Sequence, residues 1–350
     1  MKIVPESGDA PPSNATIPNI LKSTDSLEVH YHPITEFTNQ QLKVFWLPDE
    51  VRVEKDIQDI LVNMTEAERH GVITTLKLFT LYELKAGAEY WGGRFKRRFK
   101  RPEFQSMAAT FSMFELSVHK PFYQKINELL HLHNDEFYGS YVNDPVLKAR
   151  MEFIDEMISS PDDLESLAGF SMIEGAILYS SFAFLKHFQS QGKNRLLNVV
   201  RGINFSLRDE NLHAIAGAWT FKQLKKELIE QGLLVDEQAL EDKIVKAAHT
   251  LFEHESRIVD MIFEKGKIDG ITATQLKNFV MSRINECLIN LGYKKIFDVT
   301  YNPIGEWFYK AVNDLVFNDT FSGVGNSYHR NWDSTSFVWQ NYHLTTMTQG

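Results

Sequence analysis

Six side chains of metal-binding type fall on stretches that read as helices. Glu83 lies in LFTLYELKAG, Glu115 and His119 in FSMFELSVHKPFYQ, Glu174 in GFSMIEGAILYSSF, and Glu210 with His213 in SLRDENLHAIAG. At about 100° per residue, positions three or four apart share one helix face, so each Glu/His pair can grip one ion. An unpaired carboxylate is costly to bury, so an acid on an apolar face needs a partner. Glu174 is the sharpest case, flanked by Met172, Ile173, Ala176 and Ile177. A helical bundle that takes a Glu from each of two helices and a Glu/His pair from each of two others builds a dinuclear carboxylate site. Mixed oxygen and imidazole ligation suits iron or manganese and needs no thiolate. One such pair alone is common by chance: HLHND (131–135) and HTLFEHE (249–255) look as suggestive, and their polar contexts read as surface.

The elements that must position these residues are long helices. MTEAERHGVITTLKLFTLYELKAGAEYW opens with Thr65 and Glu68 in capping-box spacing and continues without proline. In SSPDDLESLAGFSMIEGAILYSSFAFLKHFQ, Ser160 before Pro161 reads as an N-cap, and residues 170–188 are apolar nearly all round, as in a central bundle helix. Residues 1–40, rich in Pro, Ser, Asn and Thr, read as a partly irregular arm; 41–315 as one helical domain; 316–350 as an aperiodic tail. The run RFKRRFKR (94–101) reads as a solvated loop between two helices.

Composition narrows the function classes. Of 350 residues 43% are hydrophobic and 25 are Phe, enough for a large core, while 19 Gly and 11 Pro argue against a loop-rich or all-β design. A net charge of −9 gives no reason to expect a nucleic-acid partner. The single cysteine, Cys287, excludes an intramolecular disulfide and a thiolate cluster and fits a reducing compartment. The first twenty residues carry no apolar core suited to a secretory leader, and no run of about 20 apolar residues suggests a membrane span. The expectation is a cytoplasmic, all-α protein without a membrane segment.

From Gln40 to Trp307 the chain resembles the small, radical-generating subunit of class I ribonucleotide reductase. QLKVFWLPDEVRVEKD is similar to that family's Phe-Trp-x-Pro-Glu-Glu-Val entry segment, with Trp46 at the tryptophan. LKLFTLYELKAG and IEGAILYSSFAF resemble its first and third ligand helices, which implies Glu83 and Glu174 as ligands and Phe182 in the radical pocket. RDENLH matches Arg-Asp-Glu-x-x-His, implying Glu210 and His213 as ligands and Asp209 as the acid that orients a ligand histidine. YNPIGEWF resembles the Asn-Pro-Ile segment near the end of the last core helix.

FSMFELSVHKPFYQ departs from the family pattern Glu-x-x-His-x-x-x-Tyr, because Glu115 and His119 are four apart. The Pro-Glu pair in RPEF (101–104) supports Glu115 as the anchor, so one extra residue stands before His119, and a π-bulge would absorb it. Tyr123 keeps its place relative to the histidine and is the expected radical site. Pro121 adds strain there, since it lacks an N–H and crowds the Ser117 carbonyl.

The resemblance implies a ferritin-like fold and a diiron, dimanganese or mixed Mn/Fe centre, with a flavoprotein activator if manganese is used. It also implies a homodimer that docks by its C-terminal tail on a large catalytic subunit, where ribonucleotides become deoxyribonucleotides. Trp46, Asp209 and His119 would form the transfer route, and Tyr328 or Tyr342 would relay the radical in the tail. The rival readings are an R2-like ligand-binding oxidase, which keeps its oxidised site to itself, and an iron-storage ferritin-like protein. A non-catalytic binding module would leave four buried acids unexplained.

Overall fold

Strong caps and long proline-free runs set the helices of this chain. A computed structural model describes residues 17–233 and 236–309, apart from the side chains of Thr80 and Tyr141; among the described residues there is no strand, only an isolated bridge between Ile268 and Ile271. Helix α1 is His32–Lys43. Helix α2 (residues 66–98) runs through Glu66–Leu84, a π-wound stretch Lys85–Phe95, and Lys96–Arg98. Helix α3 (residues 102–129) joins Pro102–Phe114 to Lys120–Leu129 through a π segment, Glu115–His119. Helices α4 and α5 are Asp135–Asn143 and Pro145–Ser159. Helix α6 (residues 163–186) links Asp163–Met172, a π segment Ile173–Ile177, and Tyr179–Lys186. Helices α7, α8 and α9 are Leu197–Glu230, Glu237–Ile262 and Ala273–Leu291.

The four helices that carry the candidate ligands are α2, α3, α6 and α7. The α6 and α7 helices pack along each other, α3 lies against α2 and α1, and α5, α8 and α9 cover the remaining faces of α6. One continuous apolar core runs through all of them. Over 18 residues the stretch Asp163–Gly192 is long and apolar enough for a membrane span, but that whole window is buried by neighbouring helices, as in a central bundle helix. Gly87 lets α2 approach α3 at the site: a Cβ there would stand 2.8 Å from the Glu115 Cβ.

Helix starts follow local chemistry, by a side-chain cap or, in α1 and α3, an early proline, with one exception. Thr65 and Glu68 form the expected capping box, and Asp144, Asp236 and Thr272 cap α5, α8 and α9. The cap of α6 is Asp162, not Ser160, because Asp162 accepts from Leu164 and Glu165 while Ser160 turns back to Asp162 and Glu165. The exception is α7, which starts at a left-handed Leu196 (φ 56°) without a cap of its own. Asp56 instead accepts the N–H groups of Asn198 and Val199 at 2.7 Å, and Asp59 that of Leu196 at 3.1 Å. Two acids from the entry segment thus sit on the positive end of the longest helix.

Two further readings change. RFKRRFKR is not a solvated loop, since residues 94–98 end α2, Phe95 and Phe99 are buried, and Arg94 and Arg98 both hold Asp163. In HTLFEHE, Glu255 is fully buried because it pairs with Arg150 at 2.9 Å.

Glu68 joins the starts of two ligand helices, capping α2 while holding Arg195 just before α7. Burial would raise its carboxyl, but Arg195 and the Thr65 cap bring it from 4.5 down to about 2. Its stabilisation is therefore complete above about pH 4.5 and lost as pH falls through 2. Acid unfolding of Glu68→Gln should show a shallower dependence on pH across that window than wild type.

Candidate metal centre

All six candidate ligands lie in the core with essentially no exposure. They form two clusters whose ligand atoms fall within 4.8 Å of one another: Glu83, Glu115, His119 and Glu210 in one, Glu115, Glu174, Glu210 and His213 in the other. Glu115 and Glu210 belong to both. Two adjacent cations would have Glu115 and Glu210 in common, with one Glu and one His left for each ion.

Both imidazoles turn Nδ1 toward the acids. His119 Nδ1 is 3.0 Å from Glu115, 3.3 Å from Glu210 and 3.6 Å from Glu83. His213 Nδ1 is 2.7 Å from Glu115, 3.3 Å from Glu174 and 3.8 Å from Glu210. Each Nε2 is held from behind, His119 by Asp209 at 3.0 Å and His213 by Gln41 Oε1 at 3.1 Å. Holding the far nitrogen fixes the ring so that Nδ1 faces the ion position.

The π segment of α3 makes this geometry possible. Lys120 N–H bonds the Glu115 carbonyl, five residues back, so the extra residue between Glu115 and His119 widens one turn and both side chains still point inward. Pro121 sits just after the widened turn, where its missing N–H is tolerated.

The donor set fits cations. Both oxygens of Glu83, both of Glu210 and one of Glu115 are buried without a hydrogen-bond partner. Native interiors rarely leave so many acceptors unmatched, and two divalent ions would satisfy them together. Without ions the cluster holds protons instead. Burial, followed by the charge of Glu115, pushes the Glu83 carboxyl well above its ordinary range; burial with Glu115 and Glu174 does the same to Glu210. Burial would also raise Glu115, but the two histidines and Glu83 bring it well below that range. Burial opposes charge on the imidazoles, yet Glu115 chiefly holds His119 far above its usual value and His213 at about 9.

The other predicted residues gather beside the first cluster. Trp46, directly after α1, donates Nε1–H to Asp209 Oδ2 at 2.9 Å, the same oxygen that meets His119. Tyr123 is fully buried, donates to Ser206 Oγ at 2.9 Å and stacks on Phe79 with centroids 4.2 Å apart. Phe182 stacks on Phe79 at 5.6 Å, which places it behind that ring and not on the tyrosine itself. Tyr328 and Tyr342 lie outside the described residues. Three partners were not found from sequence: Gln41, Ser206 and Trp91, whose Nε1–H reaches Glu174 Oε1 at 3.1 Å. Only Trp91 carried a signal, as a tryptophan two turns beyond Glu83 on the same helix.

Comparison with known proteins identifies the family. Residues 24–303 match the profile of the family described as ribonucleotide reductase, small chain. The chain belongs to that family. A ribonucleoside-diphosphate reductase subunit beta of Halalkalibacterium halodurans is 27% identical over 290 residues, covering 77% of this chain and 78% of the relative. A probable ribonucleoside-diphosphate reductase small subunit of Invertebrate iridescent virus 3 is 24% identical over 279 residues, or 74% and 72% of the two chains. The crystal structure of Streptococcus sanguinis dimanganese(II)-NrdF has the same fold, with a TM-score of 0.69 at 20% identity over 81% of this chain and 97% of that one. The ferritin-like, all-α expectation therefore holds.

The raised groups set a pH dependence for the ion-free fold. Groups whose values are higher folded than unfolded stabilise fully below the unfolded value and lose that contribution as pH rises through the folded one. For His213 the window runs from 6.5 to about 9, and Glu115, shifted the other way, titrates far below it. Chelator-treated protein should accordingly unfold at lower denaturant concentration at pH 9 than at pH 6.5, with His213→Gln reducing the difference.

Proposed function

We propose that this chain is the small subunit of a class I ribonucleoside-diphosphate reductase, holding a dinuclear metal centre and generating a tyrosyl radical for a large catalytic subunit. The observation that carries this reading is the pair of four-residue clusters sharing Glu115 and Glu210. Glu83 and His119 would complete one ion's set, Glu174 and His213 the other's. Loaded with iron or manganese and supplied with oxygen or a related oxidant, such a centre provides a one-electron oxidant beside Tyr123. Family membership and the carboxylate-rich set fit diiron, dimanganese or Mn/Fe; the neighbour titled dimanganese(II)-NrdF supports manganese as an option, and a flavoprotein activator would then be needed.

The residues of this chain fix how the electron leaves. Burial, and next the charge of Glu83, pushes the Tyr123 phenol well above its ordinary range, so it holds its proton against Ser206 Oγ until oxidised. Loss of an electron from that ring must be accompanied by loss of its proton, because an unpaired charge in the core is costly. Phe79, Phe122 and Phe182 exclude water and hydrogen donors that would quench the oxidised ring. The Trp46–Asp209–His119 chain supports a route for passing the radical outward, an electron moving inward in exchange, as its hydrogen bonds lead from His119 toward the face where Phe45 and Leu47 are exposed. The tail, residues 316–350, would dock on the large subunit with Tyr328 or Tyr342 as relay, and the working form would be a homodimer.

Tyr82 provides an internal control, since it is equally buried but its hydroxyl has no hydrogen-bond partner. Metal-loaded, oxidised protein should give a tyrosyl signal by electron paramagnetic resonance that is lost in Tyr123→Phe and kept in Tyr82→Phe, with two ions per chain in all three. A signal surviving Tyr123→Phe would overturn the assignment.

A further inference from the structure

Helix α6 winds as a π segment from Ile173 to Ile177, and the ligand Glu174 stands in it. A helical carbonyl normally takes the N–H four residues on, and a π turn disturbs that pairing, so carbonyls of the segment need other donors. Two buried guanidiniums from two neighbouring helices supply them. Arg283 of α9 sends both Nε and Nη2 to the Gly175 carbonyl, at 3.2 and 3.0 Å. Arg150 of α5 sends Nη2 to the Ile177 carbonyl at 3.3 Å, its Nε being held by Glu255 at 2.9 Å.

Arg283 is itself anchored. Its Nη1 donates to Tyr309 Oη at 3.1 Å, and its guanidinium carbon lies 4.1 Å from the centre of the Tyr179 ring. One turn further along α9, Cys287 closes on the same glycine: a Cβ on Gly175 would fall 2.4 Å from Cys287 Sγ. The residue beside the ligand is thus gripped by α9 at its carbonyl and at its Cα. Tyr309 belongs to the short helix, residues 303–309, that follows α9 and leads toward the C-terminal segment.

We infer that Arg283 and Tyr309 are positioning residues for Glu174, so that the root of the C-terminal segment helps to hold one half of the dinuclear site in register. The inference rests on the metal-centre reading above. A one-residue slip of the segment would turn Glu174 by about 100°, away from His213 and Glu210. The grip acts on the helix that carries Glu174, whereas Glu83 and His119 stand on α2 and α3, so its loss should unbalance the two ion positions.

The test is manganese(II) titration of the full chain, wild type against Tyr309→Phe, Arg283→Lys and Arg283→Gln, read by bound stoichiometry and paramagnetic resonance, with thermal unfolding in parallel. Wild type should bind two coupled ions. Tyr309→Phe, which removes only a hydroxyl, should weaken one position by about tenfold. An isolated six-line Mn(II) signal should replace the coupled one, while the first ion stays bound and the melting temperature changes little. Arg283→Gln should give the stronger form of the same split, and Arg283→Lys an intermediate one. Two coupled ions of wild-type affinity in Tyr309→Phe and Arg283→Lys would overturn the proposal, and so would equal weakening of both positions, the mark of a merely structural role. A wild-type protein that binds no ion pair would instead overturn the metal-centre reading and this inference with it.

Discussion

Four carboxylates, Glu83, Glu115, Glu174 and Glu210, meet in a core sealed from bulk solvent, and their mutual repulsion is the constraint around which the rest of the structure is arranged. In such surroundings a carboxylate keeps its charge only beside a cation. The two imidazoles supply part of that charge, and Glu115, placed between them, is the acid they hold ionised. Glu83 and Glu210 are left favouring their protonated forms. A site of this kind is unstable as a purely organic assembly and becomes well matched when ions replace the protons. That exchange links folding, pH and ligand chemistry through one set of atoms.

Bringing the acids together requires helices that depart from regular winding. Glu83 ends the regular part of α2 just before a π stretch, and Glu115, His119 and Glu174 lie within π segments. Only α7, which carries Glu210 and His213 three apart, is regular throughout. Widened turns weaken backbone pairing, and the surrounding structure compensates with side chains, including the guanidiniums of Arg150 and Arg283 on α6. The remote anchors serve the same end. Asp56, Asp59 and the Glu68–Arg195 pair fix the start of α7, while Asp209 and Gln41 fix the ligand rings. Local irregularity at the site is sustained by regular capping elsewhere.

The helical class, the capping box at Thr65 and the pairing of Glu115 with His119 and of Glu210 with His213 on one helix face could be read in the chain, because each depends on spacing within one helix. Glu83 and Glu174 were marked instead by an acid in apolar surroundings and by the family resemblance. The π segment at Glu115–His119 was readable too, since RPEF anchors Glu115 and leaves one extra residue before His119 relative to the family pattern. Gln41, Trp91 and Ser206 were hidden for the opposite reason. Each reaches its partner across the bundle, at separations of 172, 83 and 83 residues, and no local pattern marks such contacts. Glu255 was misplaced on the surface because its neighbours in sequence are polar, whereas its partner Arg150 is 105 residues away. Ser160 lost its role as cap to Asp162, which stands at the helix start and accepts from the N–H groups of both Leu164 and Glu165.

The central claim is that Glu115 and Glu210 are shared by two ions. Crystals of the protein loaded with manganese or iron, measured at the absorption edge of that metal, test it most directly. The account predicts two anomalous peaks about 3.5–4 Å apart, the usual range of two-metal sites, with Glu115 and Glu210 both placed between them. Glu83 and His119 should lie at one peak and Glu174 and His213 at the other. A single peak, or two ions that have neither carboxylate in common, would contradict it.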